Sequence, residues 1–288
     1  MIRFLETAVF VSLVLCLTAC NEPRPAAAPE QIKIGDLAPR RAGDREGIEP
    51  LKTANFNIYI FELPAEKLPA LDEAWAILRT EPLRFRDAEA FRANSFMVGF
   101  GTQDILNRVV DILLEPGGRR VQTVALLLPD RVSNNVWVGS VPAQQTVFYS
   151  AAGRPEGVTV GPGAMALRLT AQRYPGLRGL CDVKVQPAFL SPGRSAIPQV
   201  AARARANDFF FEPVQFNLKM SPGDFVLLGP AQYVADVMTL AGYFFSRPAP
   251  DARVKMLPMP RHDGDRQVEP YYGPVVRTYL IVCTGVSD

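Results

Sequence analysis

Apolar positions along this chain fall into two periods, and the periods mark out its elements. From Phe56 the stretch Phe56-Asn57-Ile58-Tyr59-Ile60-Phe61 is rich in aromatic and β-branched residues and predicts a strand. Leu68, Leu71, Trp75 and Leu78 then recur three and four residues apart, predicting an amphipathic helix with Pro69 in its first turn. Leu83-Arg84-Phe85 reads as a short strand, and the apolar segment 94–100 as another, closing in Gly99-Phe100-Gly101. Thr102 caps a second helix, with Ile105, Leu106, Val109, Val110, Ile112 and Leu113 inward and Asp104, Asn107, Arg108 and Asp111 outward. Pro116-Gly117-Gly118 stops it. Residues 121–128 are a nearly unbroken apolar run, which predicts a strand buried on both faces. This succession is a split βαβ arrangement, expected as a small α+β domain over 53–130.

Beyond residue 130 the pattern becomes short alternating strands. Segments 136–141 and 145–149 predict a hairpin around Pro142-Ala143. Segments 167–172, 183–185 and 216–220 alternate cleanly, and 224–229 and 275–283 add two more strands. One helical piece is expected at 198–206. The fold class expected is α+β: a small split-βαβ domain, then a mostly antiparallel β domain over 131–288, built as a sandwich or partial barrel.

This pattern is preceded by a different texture. Residues 8–17 are an apolar run of about ten residues, shorter than the ~20 that a spanning helix needs. It ends in Leu17-Thr18-Ala19-Cys20, which resembles the lipobox of bacterial lipoproteins. The resemblance implies that 1–19 is a signal peptide removed before Cys20, and that Cys20 carries the lipid. Acyl chains at ~0.8 kcal/mol per buried CH₂ then hold the protein on a membrane without a helix. The residue after the cysteine is Asn21 rather than an aspartate, which by analogy with that family implies the outer membrane, facing the periplasm. Residues 20–52 are rich in Pro and Ala and lack an apolar period, so they are expected as a tether.

Composition narrows the function classes. The net charge of +2 gives no electrostatic case for nucleic acid. An apolar share of 48% is enough for a proper core, and 26 prolines favour strands and turns over long helices. Of the four cysteines, Cys16 leaves with the leader and Cys20 takes lipid. Cys181 and Cys283 remain. In an oxidising compartment they are a possible disulfide, worth on the order of 4–5 kcal/mol in the chain-entropy model. The alternative is two separate thiols packed as small hydrophobes.

Candidate chemistry is sparse. The single histidine, His262, sits in the polar loop Pro260-Arg261-His262-Asp263-Gly264-Asp265, where little would hold an imidazole for catalysis. Gly99-Phe100-Gly101 lacks the third glycine of a dinucleotide fingerprint, since Asp104 stands there and would repel a pyrophosphate. Glu62, Asp72 and Glu73 are expected on a charged outer face rather than in a cleft. Arg119-Arg120 and Arg203 with Arg205 are small basic spots. No catalytic residue, cofactor or metal site is expected.

One further resemblance concerns the far end of the chain. The segment 220–229 resembles the G-x-x-V-V-L-G-G strand of bacterial secretins, with Pro230 where a second glycine stands in that family. Thr278-Tyr279-Leu280-Ile281-Val282 is similar to their last core strand. The resemblance implies an accessory or ring-like part of an envelope assembly. The expected strands are mostly shorter than the ~9–11 residues that span a bilayer in a barrel, which argues against a pore. The leading expectation is a lipid-anchored envelope protein that binds an envelope partner or itself without catalysis. The alternative is an envelope hydrolase or ligand-binding lipoprotein acting on wall, glycan or lipid.

Overall fold

The computed structural model describes residues 52–174, 176–192, 206–235, 238–247 and 273–287. Cys20, the leader, the tether up to residue 51, the expected helix at 198–206 except Ala206, and the His262 loop lie outside the described residues.

Fourteen strands and four short helices follow one another in the described residues. The first half runs β1 (Thr53–Pro64), a 3₁₀ turn (Ala65–Ala70), α1 (Leu71–Ile77), β2 (Arg84–Phe85), α2 (Ala88–Ala93), β3 (Phe96–Gly101), α3 (Gln103–Leu114) and β4 (Arg119–Pro129). The second runs β5 (Ser133–Val141), β6 (Gln145–Ala151), β7 (Arg154–Val160), β8 (Gly163–Arg173), β9 (Cys181–Leu190), β10 (Phe209–Phe210), β11 (Phe216–Met220), β12 (Phe225–Pro230), α4 (Leu240–Phe245), β13 (Ser246–Arg247) and β14 (Val275–Val286). The fold is α+β, with antiparallel sheets and few helices.

Two sheets carry the structure. The first has the order β3-β12-β14-β1-β4, with β13 also beside β14; the second has the order β2-β11-β9-β8-β5, with β10 also beside β9. Period-2 alternation explains how they stack. Phe56, Ile58 and Ile60 of β1 and Tyr279, Ile281 and Cys283 of β14 face the second sheet. There they join Leu167, Leu169, Val183, Val185 and Leu218 in one apolar cluster. The intervening Phe61, Leu63, Leu280 and Val282 point the other way, against Leu71 and Ala74 of α1 and Val109, Ile112 and Leu113 of α3. The first sheet is therefore a middle layer, covered by helices on one face and by the second sheet on the other.

The glycines of the 99–101 stretch serve this packing. A Cβ on Gly101 would sit 2.3 Å from the Phe225 ring, and one on Gly99 would sit 2.6 Å from Leu78.

Three expectations change. The 136–141 and 145–149 segments are strands but do not pair with each other: β5 pairs with β8, and β6 with β7. Val136, Val138 and Val141 earn more burial against the second sheet's core than a local hairpin offers. Second, the split βαβ unit is not closed on itself. Its β3 pairs with β12 and its β1 with β14, while β2 joins the second sheet beside β11. The described residues form one compact unit. Third, the apolar run 121–128 is not a doubly buried strand: β4 is an edge, paired only with β1 among the described residues.

Candidate functional site

A strand edge left open is a row of unpaired N–H and C=O groups, and most proteins blunt such edges. Here the edges can be compared one by one among the described residues. On β3, Arg79 covers the outer side, with Arg79 N donating to Phe100 O at 2.9 Å and Phe100 N donating to Arg79 O at 2.8 Å. β2 is two residues long. On β5, the Arg277 guanidinium donates to the Val138 carbonyl at 2.7 Å, and the strand is bulged between Trp137 and Gly139. β7 carries Pro155, Glu156 and Gly157, which disfavour further pairing.

β4 is the longest of these edge strands at eleven residues, and its bulge, at Val121, leaves the stretch from Gln122 to Pro129 in regular register. Pairing runs from Thr53↔Pro129 to Glu62↔Arg119 on the β1 side. The other side has no strand partner among the described residues. Apolar side chains stand in water along it: Leu127 is 55% exposed and Val121 41%. Val132, in the turn after β4, is 51% exposed, and Trp137, on β5, is 60% exposed. The opposite end is basic, with Arg119 and Arg120 both exposed and the Arg120 guanidinium 5.6 Å from the centre of the Tyr59 ring.

The root of this edge holds a buried ion cluster that the sequence reading missed. Glu62 was expected on an outer face, yet it lies on the inward side of β1 and is 2% exposed. Register explains this, because Arg277 of β14 and Arg119 of β4 are its direct cross-strand neighbours. Arg277 Nη2 donates to Glu62 Oε1 at 3.0 Å, Arg247 Nη1 to the same oxygen at 2.9 Å, and Arg119 Nη2 to Oε2 at 3.1 Å. Burial alone would raise the Glu62 carboxyl, but Arg277 and then Arg247 hold it below its ordinary 4.5. A carboxylate so fixed in its ionised form is a poor proton donor. The glutamate ties β1, β4, β13 and β14 together at this end.

Asp72 and Glu73 do stand on an exposed helix face, where Arg108 reaches Glu73 at 3.4 Å, and they share no cleft with Glu62. No three His, Cys, Asp or Glu side chains among the described residues converge as a metal-ligand set. Among the same residues, no helix is long and apolar enough to cross a membrane. An open polar groove of ≈ 350 Å³ lies on the outer face of the second sheet, lined in part by Arg168, Thr170, Lys184 and Gln186. At its rim Arg86 pairs with Glu212 at 2.7 Å. Cys181 and Cys283 are both buried free thiols, brought together from different sheets.

No family model matches the chain, and no curated protein does. Solved structures give a distant structural similarity to secretins. The InvG secretin domain β-barrel from the Salmonella SPI-1 injectisome matches at 9% identity and a TM-score of 0.25, over 83% of this chain and 64% of that one. The type IV competence pilus secretin PilQ of V. cholerae matches at 10% identity and a TM-score of 0.26, over 83% and 62%. The ETEC pilotin–secretin AspS–GspD complex matches at 13% identity and a TM-score of 0.22, over 98% and 59%. This chain thus spans about three-fifths of the length of those chains.

Proposed function

We propose that this protein is a lipid-anchored envelope component that binds a partner strand along β4 and performs no catalysis. In this reading Cys20 carries the lipid, the protein faces the periplasm from the outer membrane, and 20–52 is the tether. The carrying observation is the free edge of β4, the long strand left open while its counterparts are capped, short or broken by proline. Strand addition takes affinity from main-chain hydrogen bonds and specificity from alternate side chains. Leu127 and Val121 offer apolar contacts, and Arg119 and Arg120 favour an acidic residue on the incoming strand. The partner is then an envelope protein or a second copy of this chain.

Cross-linking of the full chain in its native membranes, with mass identification of the bound peptides, tests this. Cross-links from β4 to another envelope protein or to a second copy are expected. Their absence, together with a monomeric detergent-solubilised protein, overturns it. A Cys20→Ala variant should leave the membrane fraction; if it stays, the anchor is something else.

A second reading, ligand binding on the outer face of the second sheet, is favoured by the groove beside Arg168 and Lys184. An anionic glycan fragment that perturbs Lys184 without touching β4 would support it.

A further inference from the structure

The two thiols of the folded part come from different sheets. Cys181 opens β9 in the second sheet, and Cys283 lies within β14, inside the first. One of the crossings between these sheets is a tight turn, Ser221-Pro222-Gly223-Asp224, from β11 to β12. Both cysteines flank that turn. Cys181 is in register with Met220, the last residue of β11, and its Sγ lies 3.5 Å from the Met220 carbonyl oxygen. On the other side Gly223 N donates to Cys283 O at 2.8 Å, and Cys283 N donates to Asp224 O at 2.9 Å. Four residues of chain therefore fix the separation of the two positions. Both side chains are fully buried in the same apolar cluster.

We propose that Cys181 and Cys283 form a disulfide that staples the second sheet to the first at this crossover. The oxidant is an external disulfide, either a small molecule or a thiol–disulfide oxidoreductase. One thiol loses its proton, and the thiolate attacks the oxidant, giving a mixed disulfide and one reduced thiol. The second thiol, deprotonated in turn, attacks that mixed disulfide at the protein sulfur. It forms the Cys181–Cys283 bond and releases the second reduced thiol; the two electrons end on the oxidant. Neither sulfur is reachable once the sheets have closed. The bond therefore forms during folding and is afterwards shielded from reductant. The pairing rests on the fold, and the proposed envelope location only supplies the oxidant.

The full chain, unfolded and reduced, is refolded in mixed reduced and oxidised glutathione, then alkylated under denaturing conditions and digested. A single linked peptide pair joining Cys181 to Cys283, lighter by two hydrogens and lost on reduction, is expected. Recovery of both cysteines alkylated overturns the proposal. A Cys181→Ala variant should show no linked pair and the same Tm whether refolded with or without oxidant, whereas the wild type gains Tm with oxidant. Equal Tm values for the wild type in both conditions would overturn the stapling role. Protein taken directly from cells separates the two readings: free thiols there, beside linked ones after refolding, count against the envelope location and leave the pairing standing.

Discussion

Glu62 sets more of this structure than any other single polar side chain. It accepts hydrogen bonds from Arg119, Arg247 and Arg277, and the Arg277 guanidinium also reaches the second sheet at Val138. Replacing one partner of a buried pair strands the other, so Glu62→Ala should cost about 3–5 kcal/mol. Equilibrium urea unfolding at neutral pH measures this; a cost near zero would show that water already satisfies Arg277. The pH dependence has a definite sign. The folded carboxyl is held below its ordinary 4.5, so its stabilisation is fully present above that value and is lost as pH falls through the lower folded value. Wild-type Tm should therefore drop in that acid window, and Glu62→Gln should flatten the drop. A second buried group adjoins the same cluster through Arg277. Tyr279 donates its hydroxyl to the Phe244 carbonyl at 2.8 Å, and burial pushes its phenol up to about 12. Tyr279→Phe should cost about 1–3 kcal/mol, since that carbonyl stays buried without its donor.

At the scale of the element, β4 shows what a hydrophobic run can and cannot say. Residues 121–128 are as apolar as a central strand, and the run did mark the strand itself. Its place in the sheet depends on the absence of a neighbour, which no local pattern encodes. Leu127 and Val121 then stand in water where the pattern predicts burial. The expectation is that Leu127→Lys abolishes β4 cross-links and leaves the unfolding free energy within about 0.5 kcal/mol of wild type, as surface changes usually do. Cross-links that survive the lysine would move the binding surface elsewhere. α3 was legible from its spacing, because its apolar stripe meets the first sheet directly. Glu62 was not, because a lone acid in an alternating strand reads as solvent-facing until its arginines arrive from β13 and β14, far along the chain. The glycines at 99 and 101 lie within β3, and their packing role needs Phe225 and Leu78 in place. Gly101→Ala should destabilise by about 1–3 kcal/mol through overpacking, with thermal unfolding as the check.

For the whole molecule, sequence periodicity supplied strands and helices but not their partners. β5 and β6 are close in sequence and part of different sheets, since burial against β8 and the core outweighs a local hairpin. The α+β class and the antiparallel strands were legible because alternation directly reports one buried face. The joining of 53–130 with 225–286 was not, because register between distant strands is fixed only when both cores close. β14 illustrates the cost of that arrangement. It lies between β1 and β12, in contact with the first strand and with a late one. During synthesis β1 emerges first, yet one of its two neighbours is more than two hundred residues behind it. Phe56, Ile58 and Ile60 therefore wait without their β14 partners until nearly everything else has left the ribosome, and pairings this distant make folding slow. A nascent chain arrested before residue 275 should remain sensitive to protease throughout, and should be the form most readily held by a chaperone.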